Sequence, residues 1–215
     1  MTARTLLRNP YLWGFLIGIV TLTLIRPLLR HVPEPPPVLL QLPEFSLVGV
    51  DGKPYGSAEL HGTVYVASFF FTSCRSICPA IMKGVARLQD GFAQRNIDGI
   101  RLVSISVDPG NDTPEVLADY AKGMGVDPLR WTLLTGDPEA IRRLVVDGFK
   151  TPLVPAEPVG PEPGPIDIAH TGKLVLVDGD GRIRGYYDSN DLGLDEVYNR
   201  AQHVLSQQRA GARKE

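Results

Sequence analysis

Apolar and polar positions change period along this chain, and the changes mark out its elements. Residues 63–71 (TVYVASFFF) are an almost unbroken apolar, β-rich run, the pattern of a central strand covered on both faces. Two cysteines follow directly. Residues 79–92 then place Ile81, Met82, Val85 and Leu88 at helical spacing behind Pro79, which suits the first position of a helix. Residues 100–107 (IRLVSISV) predict a second buried strand, 114–122 a helix opened by Thr113 and Pro114, 131–134 a third strand and 138–146 another helix. Two strands, 173–178 and 182–187, flank Asp178-Gly179-Asp180-Gly181, and 194–207 closes with an amphipathic helix. Ahead of these, residues 45–55 (FSLVGVDGKPY) carry two apolar stretches around Asp51-Gly52, a dipeptide suited to a tight hairpin turn. No internal repeat is visible. The order predicts an α/β fold, a mixed sheet flanked by helices and extended by an N-terminal hairpin.

Residues 11–25 (YLWGFLIGIVTLTLI) carry no charge and would rise about 22 Å as a helix; extended to Leu29, with Arg26 snorkelling, the helix reaches about 28 Å, close to the hydrocarbon thickness. Tyr11 and Trp13 fall where interfacial aromatics belong. The following Arg26-Pro27-Leu28-Leu29-Arg30 offers no small-x-small cleavage site, so a single uncleaved transmembrane helix is expected in preference to a signal peptide. Pro33, Pro35, Pro36, Pro37 and Pro43 predict a polyproline II spacer. The expected organisation is an anchor over residues 1–30, a linker over 31–43, one globular domain over 44–208 and a disordered tail over 209–215.

Composition narrows the partners. Of 215 residues 43% are hydrophobic and 21% charged, enough for one core once the terminal segment is set aside. The net charge of -2 and the lack of any basic block give nothing to recruit phosphate backbones, so nucleic acid is not expected as a partner.

The only cysteines, Cys74 and Cys78, lie in Phe71-Thr72-Ser73-Cys74-Arg75-Ser76-Ile77-Cys78-Pro79, where the first central strand meets a helix. That position narrows the fold to a thioredoxin-like layout with its chemistry beyond the carboxyl ends of the parallel strands. Pro79 disfavours α geometry at Cys78 and so places Cys78 near the N-cap, where unpaired N–H groups and the helix dipole, with Arg75 nearby, should lower at least one thiol pKa below about 8.5. Three intervening residues still allow a disulfide if the Cα atoms lie within about 7 Å. Two thiolates also suit Cu(I), with an imidazole as a fitting third donor. His31 in the spacer, His61 before the strand and His203 on the last helix read as solvated or locally hydrogen-bonded. His170 differs, because it precedes the strand at 173 across from a Pro-rich excursion that could bring it over the cysteine loop. Met82 shares a helical face with Cys78 but reads as core, and Met124 has no positional argument. The Pro-rich stretch 152–165 must be loop, either a plain linker or a stiff flap.

These motifs resemble the Sco/SenC family of thioredoxin-like copper chaperones for cytochrome c oxidase assembly. The likeness rests on the apolar strand into Phe71-Thr72-Ser73-Cys74 with Cys78-Pro79, on Val107-Asp108-Pro109 with Asp112-Thr113-Pro114, and on Ala169-His170-Thr171 before the strand at 173. The resemblance implies that Cys74 and Cys78 are copper thiolates and a redox dithiol, and that His170 is the third ligand for one copper ion, Cu(I) or Cu(II). It further implies a single-pass inner-membrane protein with its domain on the periplasmic side, delivering copper to the CuA-bearing subunit of cytochrome c oxidase or acting on another copper or thiol partner. Between its cysteines the family often has Pro and Asp, where this chain has Arg75 and Ser76; the exchange favours thiolates and disfavours divalent copper. The rival readings are a thiol-disulfide oxidoreductase, which needs no His170, and a copper or redox sensor. A peroxidase lacks support in the residues around Cys74.

Overall fold

The computed structural model describes residues 10–29, 35–152, 154–155, 166–167 and 172–213. They fall into two units, Met1–Glu34 and Pro35–Glu215. In the first, α1 (Pro10–Leu29) is a 20-residue helix whose Tyr11, Phe15, Ile17 and Val20 side chains are exposed. Side chains are described over residues 10–21 of it, a rise of about 18 Å, and among the described residues no helix is long and apolar enough to cross a membrane.

The second unit is built on one eight-stranded sheet. Its strands are β1 (Leu40–Gln41), β2 (Ser46–Gly49), β3 (Pro54–Gly56), β4 (Val64–Phe70), β5 (Ile100–Ser106), β6 (Trp131–Thr135), β9 (Lys173–Val177) and β10 (Arg182–Asp188), in the spatial order β1-β10-β9-β4-β5-β6-β2-β3. A separate ladder pairs β7 (Val154–Pro155) with β8 (Ile166–Asp167). The strands β4, β5 and β6 are parallel, and β2 and β9 add to them antiparallel. All seven positions of β4 are buried, which is why its sequence shows no alternation. The hairpin expected around Asp51-Gly52 is the β2–β3 pair, with Gly52 at φ 75° in its turn.

The helices are α2 (Ser57–Leu60), α3 (Cys78–Gln94), α4 (Pro114–Met124), α5 (Pro138–Arg143) and α6 (Asp191–Gly211). Thr113, Asp137 and Asn190 cap α4, α5 and α6 through side-chain oxygens that accept from Val116, Ala140 and Gly193 N–H groups. At the centre of the sheet a buried polar chain crosses three strands. Ser68 Oγ lies 2.7 Å from Ser104 Oγ, and Trp131 Nε1 donates to the same Ser104 oxygen at 2.8 Å.

The structure departs from the sequence reading in four places. The predicted spacer belongs to the folded unit from Pro35: Leu40 pairs with Ile183, Leu42 is buried, and the carbonyl of Pro36 accepts from the buried Arg184 guanidinium. Proline content could not show that this segment finds a sheet edge. The helix predicted over 138–146 is α-helical to Arg143 and continues as a π-turn, Leu144–Gly148, in which Phe149 N–H donates to the Leu144 carbonyl at 2.8 Å. Helix α6 runs past 207 to Gly211, where Arg209 reaches the Asp98 carbonyl at 2.7 Å, so part of the predicted tail is helical. Within the Pro-rich stretch, β7 and the Pro152 position are the described part, and the remainder lies outside the described residues.

Candidate metal and dithiol centre

Past Phe70 the backbone leaves the sheet and carries residues 71–77 across the carboxyl ends of the parallel strands before α3 begins. Cys74 in this loop and Cys78 at the first position of α3 are both buried, 8% and 1% exposed, and are not joined as a disulfide. Cys74 N–H donates to the Phe71 carbonyl at 3.2 Å, turning the chain so that Cys74 faces the start of α3. Cys78 N–H then points at Cys74 Sγ, 3.4 Å away, and Ser76 Oγ lies 3.5 Å from the same sulfur.

Cys78 lies next to the N-cap as expected, but Pro79 is not the first helical residue: Ile77 caps α3 with α-region dihedrals, Cys78 is the first helical residue and Pro79 the second. The Cys78 N–H is therefore among the donors a helix leaves unsatisfied at its start, and Cys74 is the sulfur that receives it. Burial pushes the Cys74 thiol up, but hydrogen bonds from Cys78 and Ser76, side chain and backbone, outweigh it and hold the thiol below its ordinary value. Arg75, expected to help, is exposed and is not among these causes.

Two further contributors were given no role at the site by the sequence, although Asp112 belongs to one of the motifs that carry the family resemblance. Asp112, fully buried, accepts from Thr72 N–H at 3.0 Å and from the Thr72 and Ser106 hydroxyls, tying the cysteine loop to the end of β5. Tyr120 on α4 stacks on Phe70 with ring centroids 5.5 Å apart. Burial raises its phenol pKa, and charge at Cys78, Cys74 and Asp112 raises it further, so the ring stands within electrostatic reach of both thiols. Nothing in the spacing of the sequence links Tyr120 to the cysteines.

His170 lies outside the described residues, as does His31. Gly172, two positions after His170, is described: it has φ 38°, and a Cβ placed on it would sit 3.1 Å from Ile77 Cδ1 in the cysteine loop. Its carbonyl accepts from Ser189 N–H at 3.1 Å. Met82 is fully buried in the core, as expected of a packing residue, and Met124 packs against that core. His61 is exposed beside a groove of about 860 Å³ lined by Tyr65 and Gly179, at the opposite end of β4 from the cysteines. His203 is partly buried on α6, its Nδ1 without a hydrogen-bond partner among the described residues. Among the described residues no three His, Cys, Asp or Glu side chains gather to hold a metal ion. The described part of the site thus offers two soft sulfurs, a pair that suits monovalent copper and is also competent for disulfide formation.

Residues 38–206 match the family model described as SCO1/SenC. The chain belongs to the SCO1/SenC family. A protein from Stutzerimonas stutzeri named for copper binding is 30% identical over 168 residues, 78% of each chain. Among solved structures, BsSco, described as a member of the Sco family of cytochrome c oxidase assembly proteins with a disulfide switch, is 26% identical at a TM-score of 0.68, covering 81% of this chain and 99% of its own. Bradyrhizobium japonicum ScoI, solved with copper bound, shares the fold at a TM-score of 0.64 and 23% identity, over 77% of this chain and all of its own. The thioredoxin-like layout expected of the cysteine position is the layout these Sco structures share with the chain.

Proposed function

We propose that the chain is a copper chaperone that holds one copper ion between Cys74, Cys78 and His170 and delivers it to the CuA site of cytochrome c oxidase. The observation that carries this reading is the pair of buried, adjacent thiols, with Cys74 Sγ already receiving the Cys78 N–H. A thiol whose pKa is lowered this way yields its thiolate to soft Cu(I) more readily. His170 is supported by its place in the sequence, two residues before Gly172, and a Cβ placed on Gly172 would sit 3.1 Å from Ile77 Cδ1 in the cysteine loop. Copper is the cargo, passed by ligand exchange with no change in its electron count. The names of the Stutzerimonas relative and of ScoI support copper, and that of BsSco supports an oxidase-assembly setting.

A single-pass anchor in the inner membrane is supported by the uncharged apolar sequence of residues 11–25, and the periplasmic side for the domain by the family resemblance alone.

The same two thiols favour a second reading, thiol-disulfide exchange. Cys74 thiolate attacks a partner disulfide and displaces one partner thiolate. Cys78 then resolves the mixed disulfide, so the partner gains two electrons and Cys74 and Cys78 end as a disulfide. The disulfide switch named for BsSco favours keeping this alternative.

Titration of the reduced full-length chain in detergent with Cu(I), beside Cys74→Ser, Cys78→Ser and His170→Ala, tests the proposal. One equivalent bound by the wild type and lost in each variant supports it; equal binding by all four overturns it. Survival of dithiol exchange in His170→Ala alongside lost copper separates the two readings.

A further inference from the structure

We infer that Asp112 is the positioning residue of the cysteine loop, its carboxylate setting where Cys74 stands relative to the start of α3. The β4–β5 ladder ends at Val107 N–H, which donates to the Phe70 carbonyl at 2.9 Å. Beyond Phe70 the loop is off the sheet, and Thr72 is its first fixed point. Thr72 N–H donates to Asp112 Oδ2 at 3.0 Å, and the Thr72 hydroxyl donates to Asp112 Oδ1. The other end of the clamp is equally held. Ser106 Oγ, at the last residue of β5, donates to Oδ2 and itself accepts from Asp108 N–H at 3.2 Å. Asp112 N–H donates to the Asp108 carbonyl at 2.9 Å, and the next residue, Thr113, caps α4.

One carboxylate therefore joins the end of β5, the start of α4 and the residue two before Cys74. A buried carboxylate among neutral donors is costly compared with an apolar side chain of the same size. Its presence is accounted for by what it holds. Because Cys74 N–H closes a tight turn back to the Phe71 carbonyl around Thr72, releasing Thr72 lets Cys74 swing away from the Cys78 N–H. The inference needs Cys74 and Cys78 to be the working pair of the proposal above, whether they carry copper or electrons.

The test uses the full-length chain in detergent with Thr72→Val, which removes the hydroxyl at nearly constant volume, Thr72→Ser, which keeps it, and Asp112→Asn. Two quantities are read: amide hydrogen exchange at Cys74 and Cys78 by NMR, and the equilibrium between dithiol and disulfide in glutathione buffers. Thr72→Val is expected to speed exchange at those two amides and to shift the redox equilibrium by about two- to tenfold, the loss of one net hydrogen bond. Exchange along β4 stays unchanged, Thr72→Ser behaves as wild type, and Asp112→Asn shifts both further. Wild-type exchange and redox equilibrium in Thr72→Val overturn the inference, and so does an equal shift in Thr72→Val and Thr72→Ser. A wild-type chain that binds no Cu(I) would remove the copper proposal while leaving the exchange comparison decisive for Asp112.

Discussion

Ser76 is where this chain departs most consequentially from its family's usual loop. A family Asp at this point would put a negative charge beside Cys74, whereas the serine hydroxyl lies 3.5 Å from the sulfur and can donate to it. The Cys74 thiol is held below its ordinary value of 9.0. For a depressed acidic group the sign is fixed: the thiolate contributes stability that is complete above the ordinary value and is lost as pH falls through the lowered one. Ser76→Ala should therefore move the pH midpoint of iodoacetamide alkylation at Cys74 upward, and Ser76→Asp should move it further. An unchanged midpoint in Ser76→Asp would show that neither charge nor hydrogen bonding at this position reaches the sulfur. The sequence named both cysteines, the direction of the effect and the nearness of Cys78 to the helix start, but treated Pro79 as the first helical residue, when the helix accepts it second and Cys78 becomes the donor.

Among the elements, β4, β5 and β6 were legible because burial on both faces leaves continuous apolar runs of limited length. The polar interruptions were not, since Ser68 and Ser104 read as breaks in hydrophobicity and only pairing in register shows that they face each other. Ser104→Ala strips Trp131 Nε1–H and Ser68 Oγ of their buried partner and should cost about 1–3 kcal/mol in urea denaturation. A loss below about 0.5 kcal/mol would mean that the three side chains repack. Helix α3 was legible from its 3.6-residue period, but the π-turn after α5 was not. It depends on Phe149 N–H finding the Leu144 carbonyl and on Gly148, where a Cβ would sit 3.2 Å from Pro43 Cδ in a segment far away in sequence.

For the whole molecule, the informative surprise is how early the folded unit begins. Arg184, 6% exposed, donates through Nε to the Pro36 carbonyl at 2.8 Å and through Nη1 to Asp178 at 3.0 Å, fastening the segment that leads in from the first unit. Burial pushes the Asp178 carboxyl up, but hydrogen bonds from Arg182 and Arg184 outweigh this and hold it below its ordinary 3.8. The pair therefore stabilises the fold above that value and loses its effect as pH falls through the lowered pKa. Arg184→Ala should free residues 35–42 at neutral pH, seen as faster proteolysis in that segment with the core intact. Cleavage rates equal to wild type would show that β1 pairing alone holds it. The Pro-rich composition hid this docking because proline content reports backbone conformation and not its tertiary partners.

The central claim is that two sulfurs and one imidazole meet at a single copper ion. X-ray absorption of the Cu(I)-loaded full-length protein tests it most directly. The prediction is a first shell of two sulfurs and one nitrogen per copper in the wild type, with no copper retained by His170→Ala carried through the same loading. A shell without the nitrogen, or one without two sulfurs, would contradict it.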